Sequence, residues 1–141
     1  MEQDNSTRPP DSSLQILVVE DSVPYAKLII ASLKHSLADA HEVQHADCCR
    51  SAVEALGTHR FDLIILDMYL PDSEGIDTFD AINHAAPNPP VIILSSDDSR
   101  QLAVEAVQRG ALDYLIKGEG TSEKLIASVR TAVSRKRSAP A

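Results

Sequence analysis

Basic charge is scarce in this sequence. Its 13 Lys and Arg stand against 21 Asp and Glu, a formal net charge of −8. Phosphate-rich polymers and anionic lipid surfaces are drawn to basic protein surfaces, so nucleic acid and membrane are excluded as general partners. Cysteine is nearly absent too. Cys48 and Cys49 are adjacent, and sequence neighbours rarely meet disulfide geometry, so the expectation is free thiols in a reducing, cytoplasmic protein. No apolar stretch approaches the roughly 20 residues of a membrane span. The polar lead from Met1 to Ser13, with Pro9 and Pro10, has no signal-peptide apolar region. Internal repeats and low-complexity segments are missing. No Gly-x-Gly-x-x-Gly or Gly-x-x-x-x-Gly-Lys pattern follows an apolar run, which weighs against nucleotide binding through a phosphate-cradling loop.

What remains is enough for one domain. The chain has 141 residues with 43% hydrophobic content, about the size that buries a core without disulfide or metal staples. The expected layout is a flexible segment over 1–13, a folded domain over 14–135 and a flexible tail over 136–141. Apolar runs recur at Leu14 to Val19, Phe61 to Leu66, Val91 to Leu94 and Leu112 to Ile116, with a weaker strand from His41 to Ala46. Short and largely non-alternating, they suit strands covered on both faces.

Helical patterns fill the gaps. Tyr25, Leu28, Ile29, Leu33 and Leu37 form one stripe; Cys49, Ala52, Val53 and Leu56 form another after an expected N-cap at Asp47. A third helix starts near Ile76 with Phe79 and Ile82 inward. A fourth runs from about Ser99 to Arg109, with Ala103, Ala106 and Val107 as its small-residue face and Gly110 ending it. The last carries Leu125, Ile126, Val129, Ala132 and Val133 behind caps at Thr121 and Ser122, and Arg135, Lys136 and Arg137 suit its dipole-negative end. Five strands alternating with five helices predict an α/β fold, a doubly wound parallel sheet with helices on both faces.

In such sheets ligands sit outside the carboxyl ends of the strands, so the polar residues that end the apolar runs become the candidates. The first run ends in Glu20-Asp21, the third in Asp67, the fourth in Ser95-Ser96 and the fifth in Lys117. Three converging carboxylates repel one another unless a cation holds them. Mg²⁺ fits, because it takes hard oxygen ligands and combines a few carboxylates with phosphate oxygens. A carboxylate nucleophile, a metal, a hydroxyl and a lysine together point to phosphoryl transfer with an acyl phosphate as product.

From about Leu14 to Arg135 the sequence resembles the response-regulator receiver domains of two-component signalling. The resemblance rests on Ile16 to Asp21, on Asp62 to Met68 with Leu70-Pro71-Asp72 and Gly75 behind it, on Val91 to Ser96, and on Gly110 to Lys117. It implies a flavodoxin-like (βα)5 fold with strand order 2-1-3-4-5. It further implies Asp67 as phosphoacceptor and Mg²⁺ held by Glu20, Asp21, Asp67 and the backbone carbonyl of Tyr69. Lys117 and Ser95 would contact the phosphoryl group, and Ser95 with Tyr114 would form a switch. The implied phosphodonor is a sensor histidine kinase or a histidine phosphotransfer protein. A partner or homodimer face is expected on the fourth helix, fifth strand and fifth helix. Such a protein is a phosphoacceptor that assists its own phosphorylation and dephosphorylation, not an enzyme.

The family usually places proline after the lysine, across a cis peptide, whereas Gly118 stands here and a trans or otherwise rearranged loop is the cheaper expectation. Tyr69 and Asp97 match variable positions that influence how water reaches the acyl phosphate.

Other readings compete. A phosphorylation-independent adaptor would keep the fold without the chemistry. A metal-dependent phosphohydrolase would use Asp67 as nucleophile, but no second catalytic acid follows it. The chain also fits a receiver piece of a longer regulator. His45, Cys48 and Cys49 invite a zinc site, yet Cys49 lies on an apolar stripe and no second cluster completes four ligands. His35, His41, His59 and His84 are scattered and read as solvated side chains.

Overall fold

Alternation along each strand builds the two sides of the molecule. The computed structural model describes residues 14–37 and 40–138. The chain runs β1 (Leu14–Val19), α1 (Val23–Ser36), β2 (Ala40–Ala46), α2 (Cys49–Thr58), β3 (Leu63–Leu66), β4 (Tyr69–Leu70), β5 (Ser73–Glu74), α3 (Ile76–Ala85), β6 (Val91–Ser95), α4 (Arg100–Gln108), β7 (Asp113–Ile116) and α5 (Thr121–Ser138). Five strands pair in parallel in the order β2-β1-β3-β6-β7. Among the five strands of that sheet this is the expected 2-1-3-4-5. The antiparallel β4–β5 hairpin is an addition that the apolar pattern does not announce. The helix α5 runs to Ser138, one residue beyond the expected basic end at Arg135, Lys136 and Arg137; the segments 1–13 and 139–141 lie outside the described residues.

Even and odd strand positions feed separate cores. Ile16, Val18, Ile65, Ile92, Leu94 and Leu115 pack against Ile29 and Leu33 of α1 and against Leu125 and Val129 of α5. Leu17, Val19, Ile64, Leu66 and Ile93 pack against Ala52 of α2, Phe79 and Ile82 of α3 and Ala106 of α4. Each fully buried Leu, Ile, Val or Phe contributes about 1.5–3 kcal/mol. The sheet is therefore fixed from both sides, and its carboxyl edge is a rigid platform.

Helix ends depart from expectation in instructive ways. The N-cap of α2 is Cys48, not Asp47: Cys48 Sγ accepts the Ser51 amide at 3.4 Å. The stronger cap is remote. Asp72, in the turn between β4 and β5, accepts the amides of Cys49 at 2.8 Å and Arg50 at 2.9 Å. Thr121 begins α5 without capping it; its hydroxyl instead donates toward the carbonyls of Ile116 at 2.8 Å and Gly118 at 2.7 Å. Ser99 caps α4 as a side-chain acceptor for the Leu102 amide. Gly110 ends that helix at φ 119°, a backbone that a Cβ would strain.

Three stripe residues turn outward. Leu28 is 52% exposed, Val53 36% and Val107 49%. At about 100° per residue each lies that far round its helix from the buried neighbour, Ile29, Ala52 or Ala106, and so misses the contact.

Candidate functional site

Glu20, Asp67, Ser95 and Lys117 stand at or one step past a strand's carboxyl end, and Asp21 two steps past β1. Backbone bonds carry the sheet that far. Glu20 N donates to Ala46 O at 2.9 Å, Asp67 N to Val19 O at 2.9 Å and Lys117 N to Ser95 O at 2.8 Å. Glu20 and Asp67 are therefore delivered by β1 and β3, and Lys117 by β7, on main chain that cannot drift.

The carboxylates of Glu20, Asp21 and Asp67 each offer an oxygen within 4.8 Å of the others. Glu20 and Asp67 are buried and Asp21 is exposed, so the group opens to solvent on one side. Lys117 Nζ donates to Asp67 Oδ2 at 3.1 Å and lies 2.7 Å from Glu20 Oε1. The second contact is an ion pair but not a directed hydrogen bond, and Glu20 Oε1 is buried with no aligned donor. Glu20 Oε2 accepts the Ser22 amide at 3.0 Å, and Asp67 Oδ1 accepts the Tyr69 amide at 3.1 Å.

Burial pushes the Glu20 carboxyl above its ordinary pKa, and the negative charge of Asp67 adds to the rise against the pull of Lys117. Burial acts on Lys117 in the opposite sense, but its bonds to Glu20 and Asp67 outweigh it and hold the ammonium charged to higher pH. Three carboxylates against one ammonium leave a surplus of two negative charges. That surplus, on three carboxylate oxygens within 4.8 Å of one another, fits a divalent cation of Mg²⁺ size, whose opposite ligands sit about 4 Å apart.

The β4–β5 hairpin sets the direction of the Tyr69 carbonyl. Gly75 N donates to Met68 O at 2.8 Å, which makes Met68 and Gly75 a hydrogen-bonded pair. Bonded and non-bonded pairs alternate in antiparallel ladders, so Tyr69 opposite Glu74 is a non-bonded pair and its carbonyl points away from the hairpin partner.

Ser95 ends β6 fully buried, and its Oγ accepts the Asp97 amide at 3.0 Å. Tyr114, half-buried on β7, donates its hydroxyl proton to the Asp97 carbonyl at 2.8 Å. The Asp97 carboxylate accepts from Tyr69 OH through Oδ2 and from the Ser99 amide at 2.8 Å through Oδ1. Asp97 thus ties the two expected switch residues to each other and to Tyr69.

The peptide between Lys117 and Gly118 is trans, as no cis bond occurs among the described residues. Gly118 takes φ 155°, a conformation that costs glycine little. The structure brings together Glu20, Asp21, Asp67 and Lys117 and places Ser95 and Tyr114 on the neighbouring strands. Sequence reasoning missed three participants. The Tyr25 ring lies under Lys117, the His45 ring N–H donates to the Glu20 carbonyl at 2.7 Å, and Asp72 caps α2. Tyr25 was visible as an aromatic one helical turn after Glu20-Asp21; His45 and Asp72 carried no local signal.

A flavodoxin-like parallel sheet with an acidic pocket and a lysine at its carboxyl edge is the class defined by fold and site. Residues 16–130 match the family profile for the response regulator receiver domain. The transcriptional regulatory protein ZraR of Escherichia coli is 35% identical over 105 residues, 74% of this chain and 23% of ZraR. The regulatory protein LuxO of Vibrio cholerae is 36% identical over 86 residues, 61% of this chain and 19% of LuxO. The crystal structure of the signal receiver domain of a putative Luxo repressor protein from Vibrio parahaemolyticus superposes with a TM-score of 0.78 at 33% identity, covering 89% of this chain and 93% of that one. This chain belongs to the response-regulator receiver domain family. It spans less than a quarter of the length of these curated relatives.

Proposed function

We propose that the chain is a phosphoacceptor switch that takes a phosphoryl group onto Asp67. The observation that carries this is the Lys117 ammonium 3.1 Å from Asp67 Oδ2, beside the two carboxylates of Glu20 and Asp21. An Asp67 oxygen attacks the phosphorus of a phosphohistidine on a sensor kinase or a histidine phosphotransfer protein. The new P–O bond forms as the P–N bond breaks, and the electron pair stays on the imidazole nitrogen. Lys117 moves from the carboxylate to the phosphoryl oxygens. Glu20, Asp21, Asp67 and the Tyr69 carbonyl would hold Mg²⁺, which when bound neutralises charge on the transferring group. The protein is consumed as an acceptor and restored by hydrolysis, which distinguishes it from a turnover catalyst.

Ser95 then leaves the Asp97 amide for the phosphoryl group, and Tyr114, whose hydroxyl holds the same residue, follows. The surface that feels this is α4, β7 and α5, where Val104, Val107 and Ile116 are exposed. That face is the proposed site for a partner or a second copy. The described residues include no helix long and apolar enough to cross a membrane, and the free thiols of Cys48 and Cys49 suit a cytoplasmic setting. The short share of the regulatory relatives that the chain spans also supports a receiver acting within a longer regulator.

Mass spectrometry after incubation with acetyl phosphate and Mg²⁺ tests the reading. Modification of Asp67, absent in Asp67→Asn, is expected. An unmodified protein that releases no phosphate points to an adaptor, and phosphate release with no accumulation of modified Asp67 points to a hydrolase.

A further inference from the structure

We propose that Tyr25 is a positioning residue for Lys117, its ring acting as the floor that holds the ammonium between Glu20 and Asp67. The Lys117 Nζ stands 4.6 Å from the centroid of the Tyr25 ring. That is within the range in which a ring face attracts a cation, and the attraction grows where water is kept out. The pair is partly shielded from water: the Lys117 side chain is 19% exposed and that of Glu20 is 2% exposed.

The need for such a floor follows from the local chain. Lys117 is the first residue past β7 and is followed by Gly118 at φ 155°, then by a second glycine at Gly120. Glycines leave the backbone beyond Lys117 with little intrinsic preference. The lysine stem itself has several rotatable bonds, and an ammonium is a point charge without the fixed geometry of a guanidinium. Two carboxylates alone would let Nζ slide from one oxygen to another. A ring face on a third side limits it to the gap between them.

Tyr25 can serve because it is itself held. It lies in the first turn of α1, where its amide donates to Ser22 Oγ at 3.3 Å, and Pro24 fixes the turn before it. Ser22 in turn donates its amide to Glu20 Oε2 at 3.0 Å. One short segment, Glu20 to Tyr25, therefore places a carboxylate and a ring around the same ammonium.

The inference rests on Lys117 serving phosphoryl transfer to Asp67, so its test has two separable arms. In the first, rates of Asp67 modification by acetyl phosphate and Mg²⁺ are measured by mass spectrometry. Tyr25→Leu, which keeps the burial and removes the ring face, should slow modification by about 5- to 30-fold. Tyr25→Phe should restore the rate to within about twofold, since the ring face is kept. In a Lys117→Ala background Tyr25→Leu should have no further effect, because coupled residues are non-additive. In the second arm, NMR of the unphosphorylated protein reads the Lys117 ε-protons. Ring current should shift them upfield in the native protein and in Tyr25→Phe, and not in Tyr25→Leu. Equal losses in the native and Lys117→Ala backgrounds, or ε-protons indifferent to the ring, overturn the proposal. If the native protein takes no phosphoryl group, the phosphoacceptor reading falls and the ε-proton shift alone decides whether Tyr25 positions Lys117. Tyr25→Met repeats both arms should Tyr25→Leu fail to fold.

Discussion

The hydroxyl of Tyr69 donates to the carboxylate of Asp97, so the hairpin that follows Asp67 is fastened to the loop that follows Ser95. Tyr69 is 37% exposed and stands at the rim of the pocket. The same bond pushes the Tyr69 phenol up to about 12 and draws Asp97 below the usual carboxylate range.

A fastening across the mouth of the pocket should slow the entry of water to an acyl phosphate on Asp67. Tyr69→Ala should speed dephosphorylation after donor removal by about 2- to 10-fold, the scale of one modest hydrogen bond. Tyr69→Phe, which keeps the bulk and loses the bond, should fall between. Decay of ³²P-labelled protein measures all three, and equal half-lives would remove any role for Tyr69. Because the Asp97 pKa is depressed, the fastening is complete above the ordinary carboxylate range and is lost as pH falls through the lowered value.

The surplus negative charge around Asp67 gives a second expectation. With no cation present, Asp67→Asn removes repulsion from Glu20 and Asp21 but also one partner of Lys117. The net effect should be a gain of about 1 kcal/mol in stability. Mg²⁺ at ten times its dissociation constant should add about 1.4 kcal/mol to the native protein, raising Tm by about 5 °C. Asp67→Asn should gain less from Mg²⁺. Thermal melts in EDTA and in Mg²⁺ decide this, and a native Tm indifferent to Mg²⁺ argues against a cation in the pocket.

The strand ends were legible because an apolar run stopped by a polar residue is a short-range signal. Glu20, Asp67, Ser95 and Lys117 all emerge from that pattern, and parallel pairing then brings them to one edge. The capping of α2 was not legible. Asp47 precedes the helix and is the natural choice by proximity, but the carboxylate that meets the helix amides belongs to Asp72. Only the β4–β5 hairpin brings it there, and its strands are too short for an alternation to show. Tyr25 carried a positional signal, one turn after Glu20-Asp21, but at stripe spacing with Ile29 and Leu33 it reads as core, although its ring faces Lys117.

Asp72 therefore does two things that one mutation can expose. It ends the turn that carries Tyr69, and it neutralises the N-terminus of α2. Asp72→Ala should lower the urea midpoint, with Asp72→Asn intermediate because an amide can still accept one bond. The bonds from Arg50 and Cys49 hold the Asp72 pKa below its ordinary value. Its stabilising contribution is thus present above the ordinary carboxylate range and lost as pH falls through the depressed pKa. Native and Asp72→Ala midpoints should converge toward acid pH. A gap that stays constant with pH would falsify the charge-based cap.

The outward-facing Val107 of α4 and Ile116 of β7 lead to the last expectation. Val104, Val107 and Ile116 are each between 43% and 49% exposed, on elements that Asp97 and Tyr114 link to Ser95. Exposed apolar side chains on adjoining elements are costly to leave in water unless something covers them. Beryllofluoride, a phosphoryl mimic, should draw Ser95 toward Asp67, release Asp97 and reshape this face. If a second copy covers it, sedimentation velocity will show a dimer with the mimic and a monomer without it. Ile116→Glu or Val107→Glu should keep the monomer in both conditions while leaving Asp67 open to modification, since both side chains are exposed to solvent. A monomer that persists with the mimic in the native protein assigns the face to a different partner. A dimer that survives both substitutions places the contact elsewhere on the molecule.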